Sequence, residues 1–343
     1  MLDDLKLIHE RDGQDALGVA EKQWQQLKHD YQVDIHLDGE IKNVILGGMG
    51  GSALAANVFN SWPGARVPFE IVRDYDLPIY AGDQTLFIAS SYSGNTEETL
   101  STLAQAQERG CKIIVIAAGG KLEAIAQEKA YPFYKIPAGF QPRMAVFYNF
   151  AALVQLFSKT DLIEQGSLEQ LREAAEWLSQ RQADFLPTVA TNKNPAKQMA
   201  LELMGKSPVI YAGPKLFPAA YKWKINMNEN AKNVAWCNVL PEFNHNEFLG
   251  WTSHPNDKPY AIVDLRSNLE HGQVQKRFEV SERLLSGMRP ATHVVRAQGD
   301  NLLRQLLWVI TLGDFVSLYL ALLNGLNPTP VDLIEKLKKS LDS

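Results

Sequence analysis

Ser91, Ser93 and Thr96 place three hydroxyl side chains within "FIASSYSGNTEETL", between a β-branched apolar run and a helical pattern. A second small-residue mouth, Gly47 to Ser52 ("GGMGGS"), likewise follows an apolar run and opens a helix. Helix N-termini carry unpaired N–H groups and roughly half a positive charge, so they suit an anion such as phosphate. Hydroxyls add donors without adding charge, and glycines let the backbone approach closely. The competing reading is capping: Ser and Thr are common N-caps, and Thr96–Thr99 or Asn95–Glu98 would make a capping box. The glycine string lacks the Lys of a P-loop and fits the dinucleotide fingerprint poorly, which disfavours a nucleotide.

Other residues able to do chemistry are scattered. Arg143 follows Pro142 in "QPRMAVFY", Glu229 lies in "NMNENAK", and His245 lies in "PEFNHNEFLGW". A guanidinium is permanently charged and can steady an oxyanion. A carboxylate and an imidazole are the usual general acids and bases near neutral pH. Read without context, Arg143 is a surface residue after a turn, Glu229 a solvated helix residue, and His245 a loop residue bonded to a neighbour. The other histidines (His9, His29, His36, His254, His271 and His293) show no ligand spacing, and neither HxH nor HExxH occurs, so the sequence offers no metal or other cofactor site.

Elements that position these residues follow from periodicity. Apolar runs near 44–46, 69–72, 85–90 and 112–118 alternate with helical stretches, which predicts a parallel sheet covered on both faces. The order restarts at 207–232, with strands at 261–265 and 293–297 and a charged helix at about 271–286. A helical connection spans roughly 155–200. The predicted fold class is α/β, two doubly wound parallel-sheet subdomains of the flavodoxin-like three-layer αβα kind with extra helices. Residues 1–160 are expected to hold an N-terminal helix and the first subdomain, and 161–343 the connecting helices, the second subdomain and the C-terminal helices. In such sheets, ligands bind beyond the carboxyl ends of the strands.

Composition narrows the class. With 343 residues, 45% of them hydrophobic, the chain is long enough for two packed lobes. Thirty-four basic residues against 39 acidic ones give a net charge of -5, which argues against a nucleic-acid partner. Cys111 and Cys237 are far apart, which points away from a disulfide framework and toward a reducing cytoplasm. The start, "MLDDLKLIHERDGQ", is acidic and polar and does not read as a signal peptide. The apolar run 305–326 is long enough to span a bilayer. Asp314 in its middle is costly in lipid, so a buried core helix is expected and no membrane association.

"GMGGSA" followed by "SSYSGNTEET" resembles the sugar isomerase (SIS) family of phosphosugar-binding domains. With "QPRMAVFY", "NMNENAK", "PEFNHNEFLGW" and "NGLNPTPVDLIEKLKKSL", nearly the whole chain after residue 40 is similar to the bifunctional phosphoglucose/phosphomannose isomerases. The resemblance implies a cytoplasmic homodimer that interconverts glucose 6-phosphate, mannose 6-phosphate and fructose 6-phosphate without a metal. It implies that Ser91, Ser93 and Thr96 hold the phosphate and that Gly50, Gly51 and Ser52 lie against the sugar. Pro142 and Arg143 match the family's PR pair, with the Arg near the reacting carbons. Glu229 takes the position of the base, and His245 that of the ring-opening residue, contributed across the dimer interface. A Lys of the last helix also serves ring opening, and Lys336, Lys338 and Lys339 are available. The "LK" pair matches Lys338, whereas counting from Thr329 favours Lys336; the expectation adopted is Lys338. Thr329 is the counterpart of a Thr that leaves room for both faces of the enediolate. An isomerase restricted to glucose 6-phosphate and a non-catalytic phosphosugar-binding regulator are the competing readings.

Overall fold

The computed structural model describes residues 1–253 and 259–341; His254 lies outside them, as does the side chain of Lys339. The chain forms two compact units, one of residues 22–179 and one that joins residues 1–21 to 180–343.

Helices α1 (Leu5–Arg11) and α2 (Ala16–Lys22) open the chain, with a 3-10 turn after them. In the 22–179 unit, β1 (Asn43–Gly47) leads into α3 (Gly50–Ser61) and β2 (Phe69–Val72). β3 (Thr85–Ser91), α4 (Glu97–Glu108), β4 (Lys112–Ala117), α5 (Gly120–Lys129) and β5 (Phe133–Lys135) follow, then α6 (Val146–Lys159) and α7 (Ser167–Arg181). All pairings are parallel, in the order β2-β1-β3-β4-β5. Parallel strands are covered on both faces and so read as unbroken apolar runs. β3, "TLFIASS", is buried at every position. Leu103 and Ala106 of α4 and Leu122 and Ala126 of α5 pack against Ile45, Phe87 and Val115 on one face. α3 and α6 lie together on the other.

The second sheet runs β7-β6-β8-β9, again all parallel. Its unit contains α8 (Pro195–Leu203), β6 (Ser207–Ala212), α9 (Phe217–Glu229), β7 (Trp236–Val239) and the short α10 (Glu247–Gly250). β8 (Tyr260–Arg266), α11 (Gly272–Leu284), β9 (Thr292–Arg296), α12 (Leu302–Leu323) and α13 (Asp332–Leu341) complete it. Val274 and Phe278 of α11 cover one face, while α9, with α12 and α8 behind it, covers the other.

α12 has the length and mean hydropathy, 2.0, of a membrane span, yet 94% of that window is buried inside the protein. Asp314 in its middle meets Lys222 and Asn226 of α9, so the buried carboxylate is paired and hydrogen-bonded. Asn230 donates to Ser317 one turn further on, at 2.9 Å. These contacts fix the register of α9 against an otherwise apolar helix.

Candidate active site

In the five-stranded sheet, β1 connects to β2 on one side while β3 connects to β4 on the other. The crevice beyond β1 and β3 is therefore the switch point at which such sheets bind ligands. Both small-residue mouths open there. They touch: a Cβ on Gly48 would stand 2.7 Å from the carbonyl oxygen of Ser90.

The hydroxyls do not cap the helix. Thr96 is the N-cap residue of α4, but its side chain makes no capping bond. Its Oγ1 instead lies 2.7 Å from Ser91 Oγ, which is 3.4 Å from Ser93 Oγ. The Gly94 amide donates to Ser91 Oγ at 3.1 Å and the Asn95 amide to Ser93 Oγ at 3.2 Å. Asn95 Oδ1 is occupied elsewhere, accepting from the Lys121 amide at 3.0 Å, so it takes no part in a capping box. Three alcohols thus converge at the start of α4, whose first-turn amides the Thr96 side chain does not cap. That is a cradle for a tetrahedral anion, with donors from side chains and backbone alike.

The cradle is locked from below. Gly94 has φ +69°, and an added Cβ would stand 1.8 Å from the carbonyl oxygen of Gly119. The Gly94 carbonyl accepts from the Leu122 amide at 3.0 Å, tying the loop after β3 to the first turn of α5. Tyr92, between two of the hydroxyl residues, points the other way. Its phenol donates to the Pro137 carbonyl at 3.0 Å and accepts from the Phe140 amide at 2.9 Å. It thereby holds the loop that leads into Pro142 and Arg143.

Gly50 (φ +48°), Gly51 and Ser52 form the first turn of α3, and Ser52 is buried. A Cβ on Gly51 would approach the Pro142 carbonyl oxygen to 2.6 Å, so the 3-10 turn Pro142–Met144 sits against this helix end. Arg143 is only 2% exposed, which makes it one of the largest fully buried side chains and no surface residue. The unit thus brings Gly50, Gly51, Ser52, Ser91, Ser93, Thr96, Pro142 and Arg143 to one end of one sheet. A mobile anion has hydroxyls and amides to meet there, and a buried guanidinium stands on the neighbouring turn.

The other expected residues belong to the second unit. Glu229 is the last residue of α9 and is half-buried. His245 ends the 3-10 turn Glu242–His245 and is exposed, and among the described residues its ring has no hydrogen-bond partner. Its neighbours are clamped. Asn244 Nδ2 donates to Ser281 Oγ at 2.8 Å, and Arg277 Nη1 donates to Asn244 Oδ1 at 3.3 Å. Glu247 accepts from the Tyr211 phenol and from Asn238 Nδ2, the latter at 2.7 Å. An outward imidazole on a turn fixed at both sides is a placed group, not a floppy one.

Thr329 is half-buried in the loop between α12 and α13, its amide donating to Asn327 Oδ1 at 3.0 Å. Lys338 is exposed on α13, and its ammonium pairs with Glu335 of the same helix at 2.8 Å. Lys336 is exposed as well. The structure therefore groups the anion cradle and Arg143 in one unit, and holds Glu229, His245, Thr329 and Lys338 on separate elements of the other. Sequence reasoning missed Tyr92, Asn95, Glu247 and Lys232 as supporting residues. For Tyr92 the available signal was its place inside the hydroxyl motif.

Among the described residues no group of three or more His, Cys, Asp or Glu side chains is arranged to hold a metal ion. Both cysteines are free thiols.

Comparison with known proteins places these features in one family. Residues 40–156 match the SIS domain, and residues 192–341 match the bacterial phospho-glucose isomerase C-terminal SIS domain. A bifunctional phosphoglucose/phosphomannose isomerase of Caldicellulosiruptor bescii is 39% identical over 306 residues, 88% of this chain and 90% of the relative. Its namesake from Aquifex aeolicus is 31% identical, again over 88% of this chain and 90% of the relative. A solved glucose-6-phosphate isomerase like protein from Thermus thermophilus superposes with a TM-score of 0.67 at 19% identity, covering 98% of both chains, which is a likeness of fold.

Proposed function

The chain belongs to the bifunctional phosphoglucose/phosphomannose isomerase family, and from that premise we propose that it interconverts glucose 6-phosphate and mannose 6-phosphate with fructose 6-phosphate. The observation that carries the reading is the convergence of Ser91, Ser93 and Thr96 hydroxyls at a helix mouth they do not cap. Such a cradle holds the phosphate, the one group common to all three sugars. The turn Gly50-Gly51-Ser52 faces the sugar, and Pro142 sets the approach of Arg143.

Proton transfer between C1 and C2 then needs a base. Glu229 removes the C2 proton of the open-chain aldose, which leaves a cis-enediolate; the hydroxyl proton passes from O2 to O1, and Glu229 returns a proton to C1 to give the ketose. Arg143 offsets the negative charge on the enediolate oxygens. Ring opening moves one proton from the C1 hydroxyl and supplies one to the ring oxygen; His245 and Lys338 serve this step. The exposed, clamped imidazole fits a residue offered to a second copy of the chain, and in the homodimer we assign, His245 acts in the partner's site. Thr329 gives the enediolate room to turn about C2–C3, so that the same base meets either face of C2. Reprotonation on one face yields glucose 6-phosphate and on the other mannose 6-phosphate. None of these steps requires a metal, and two free thiols suit a cytoplasmic enzyme.

Incubation with fructose 6-phosphate in deuterium oxide tests the proposal. Deuterium is expected at C2 of both glucose 6-phosphate and mannose 6-phosphate, at rates a chelator leaves unchanged. Label in the glucose ester alone would restrict the enzyme to one aldose. Binding without any exchange would make the protein a sensor, and loss of exchange on chelation would refute the metal-free route.

A further inference from the structure

Beyond the residues that meet the substrate, Lys232 stands where the second unit must hold its geometry. α9 ends at Glu229, and three residues later Lys232 adopts a left-handed backbone, φ +52°. Its side chain folds back. The ammonium donates to the carbonyl of Glu229 at 3.0 Å and to that of Asn230 at 3.3 Å. It also donates to the carbonyls of Asn327 at 3.1 Å and Pro328 at 3.0 Å, in the loop between α12 and α13.

One cation is therefore shared by the closing turn of α9 and by the two residues that precede Thr329. The carbonyls of a last helical turn carry the negative end of the helix dipole, so a cation is favoured there. An ammonium has three protons for four oxygens, which makes the contact an electrostatic clip more than a set of directed bonds. Two further contacts stiffen the same loop. Asn327 Nδ2 donates to Gln14 Oε1 at 2.7 Å, and Asn327 Oδ1 accepts from the Thr329 amide at 3.0 Å. The N-terminal segment thus braces the loop that Lys232 clips to α9.

We infer that Lys232 is a positioning residue of the isomerase: its ammonium fixes the carboxylate-bearing end of α9 against the Thr329 loop, and so sets how the base meets the two faces of C2. The inference rests on Glu229 being the base. Lys232 is exposed, and a solvent-screened cation at a helix end adds only modestly to folding stability. Loss of the clip is accordingly expected in turnover and in product ratio before it is seen in the melting temperature.

Lys232→Met keeps most of the stem and removes the charge. Lys232→Gly removes the side chain and suits the left-handed backbone, so it guards against a variant that merely folds badly. Both should lower kcat on fructose 6-phosphate by about 10- to 100-fold, the scale of a small misplacement at a reacting centre. KM should stay within roughly threefold, and the ratio of mannose to glucose 6-phosphate formed should shift. Lys232→Arg should recover part of both properties. Wild-type kcat and an unaltered product ratio in either folded variant would overturn the inference. So would a fall in kcat that matches only the fraction of protein unfolded. Glu229→Gln is assayed alongside: if that variant is inert while Lys232→Met is normal, only the role of Lys232 falls; if Glu229→Gln turns over normally, the assignment of the base falls first.

Discussion

Glu229→Gln is expected to slow isomerisation in both directions by at least ~100-fold, the low end for loss of a general base, while affinity for fructose 6-phosphate changes little. An amide matches the shape and the hydrogen-bonding reach of the carboxylate but cannot take a proton from carbon. The phosphate contacts proposed at Ser91, Ser93 and Thr96 lie in the other unit and are untouched. Glu229 is the last residue of α9, and because Gln keeps the shape of the side chain, the melting temperature should move little. Comparison of kcat, KM and the melting temperature of the variant with the wild type checks each part, and turnover within a few-fold of wild type would remove Glu229 from the mechanism.

Gly94→Ala has the other large expected effect, on binding. Gly94 combines φ +69° with a position where a Cβ would overlap the Gly119 carbonyl oxygen, at 1.8 Å. The left-handed conformation alone costs an L-residue about 1–2 kcal/mol. The overlap is worse, because backbone lies on both sides and neither can yield as a flexible side chain would. Relief requires the 91–96 loop to separate from the start of α5, breaking the Leu122-to-Gly94 hydrogen bond and spreading the hydroxyls. Gly166 supplies the control: its φ is +86°, with open space where a Cβ would go. Gly166→Ala should show only the conformational cost and keep its KM. Gly94→Ala should lose more stability than that, and whatever folds should bind fructose 6-phosphate at least ~10-fold more weakly, a tenfold loss being 1.4 kcal/mol. Equal KM values in the two variants would separate the cradle from binding.

Much of this was legible in the sequence, for physical reasons that differ from element to element. β3 and β4 are buried on both faces, so their apolar runs stand out. α12 was readable as a core helix because Asp314 has no place in lipid, although its partners Lys222 and Asn226 were not foreseen. β5 and β7 went unmarked. They are edge strands of three and four residues, half-exposed, with too little apolar pattern to announce them. At the cradle, composition left capping and anion binding balanced, and only the direction of the Thr96 hydroxyl distinguishes them. Burial of Arg143 was equally hidden, since a Pro-Arg pair reads as a surface turn until the end of α3 is seen to pack on it. Lys232 was beyond reach altogether. Its distant partners are backbone carbonyls 95 and 96 positions along the chain, and a carbonyl has no residue type to read.

Ahead of the first subdomain the sequence predicts an N-terminal helix for the first forty residues. They form two short helices and a 3-10 turn, and part of their work is now visible. Arg11 donates to the Leu322 carbonyl at the end of α12 at 2.6 Å, and Gln14 meets Asn327. Asp12 caps α2 by accepting from the Ala16 and Leu17 amides at 2.8 and 2.9 Å. The segment steadies the helix end from which the Thr329 loop departs.

The proposed chemistry depends on where the phosphate sits, and a crystal structure of the enzyme soaked with fructose 6-phosphate reads that position directly. Its phosphorus should lie within hydrogen-bonded reach of Ser91 Oγ, Ser93 Oγ and Thr96 Oγ1, with the amides at the start of α4 completing the shell. A phosphate found away from this loop, with the three hydroxyls still bonded to one another, would contradict the account.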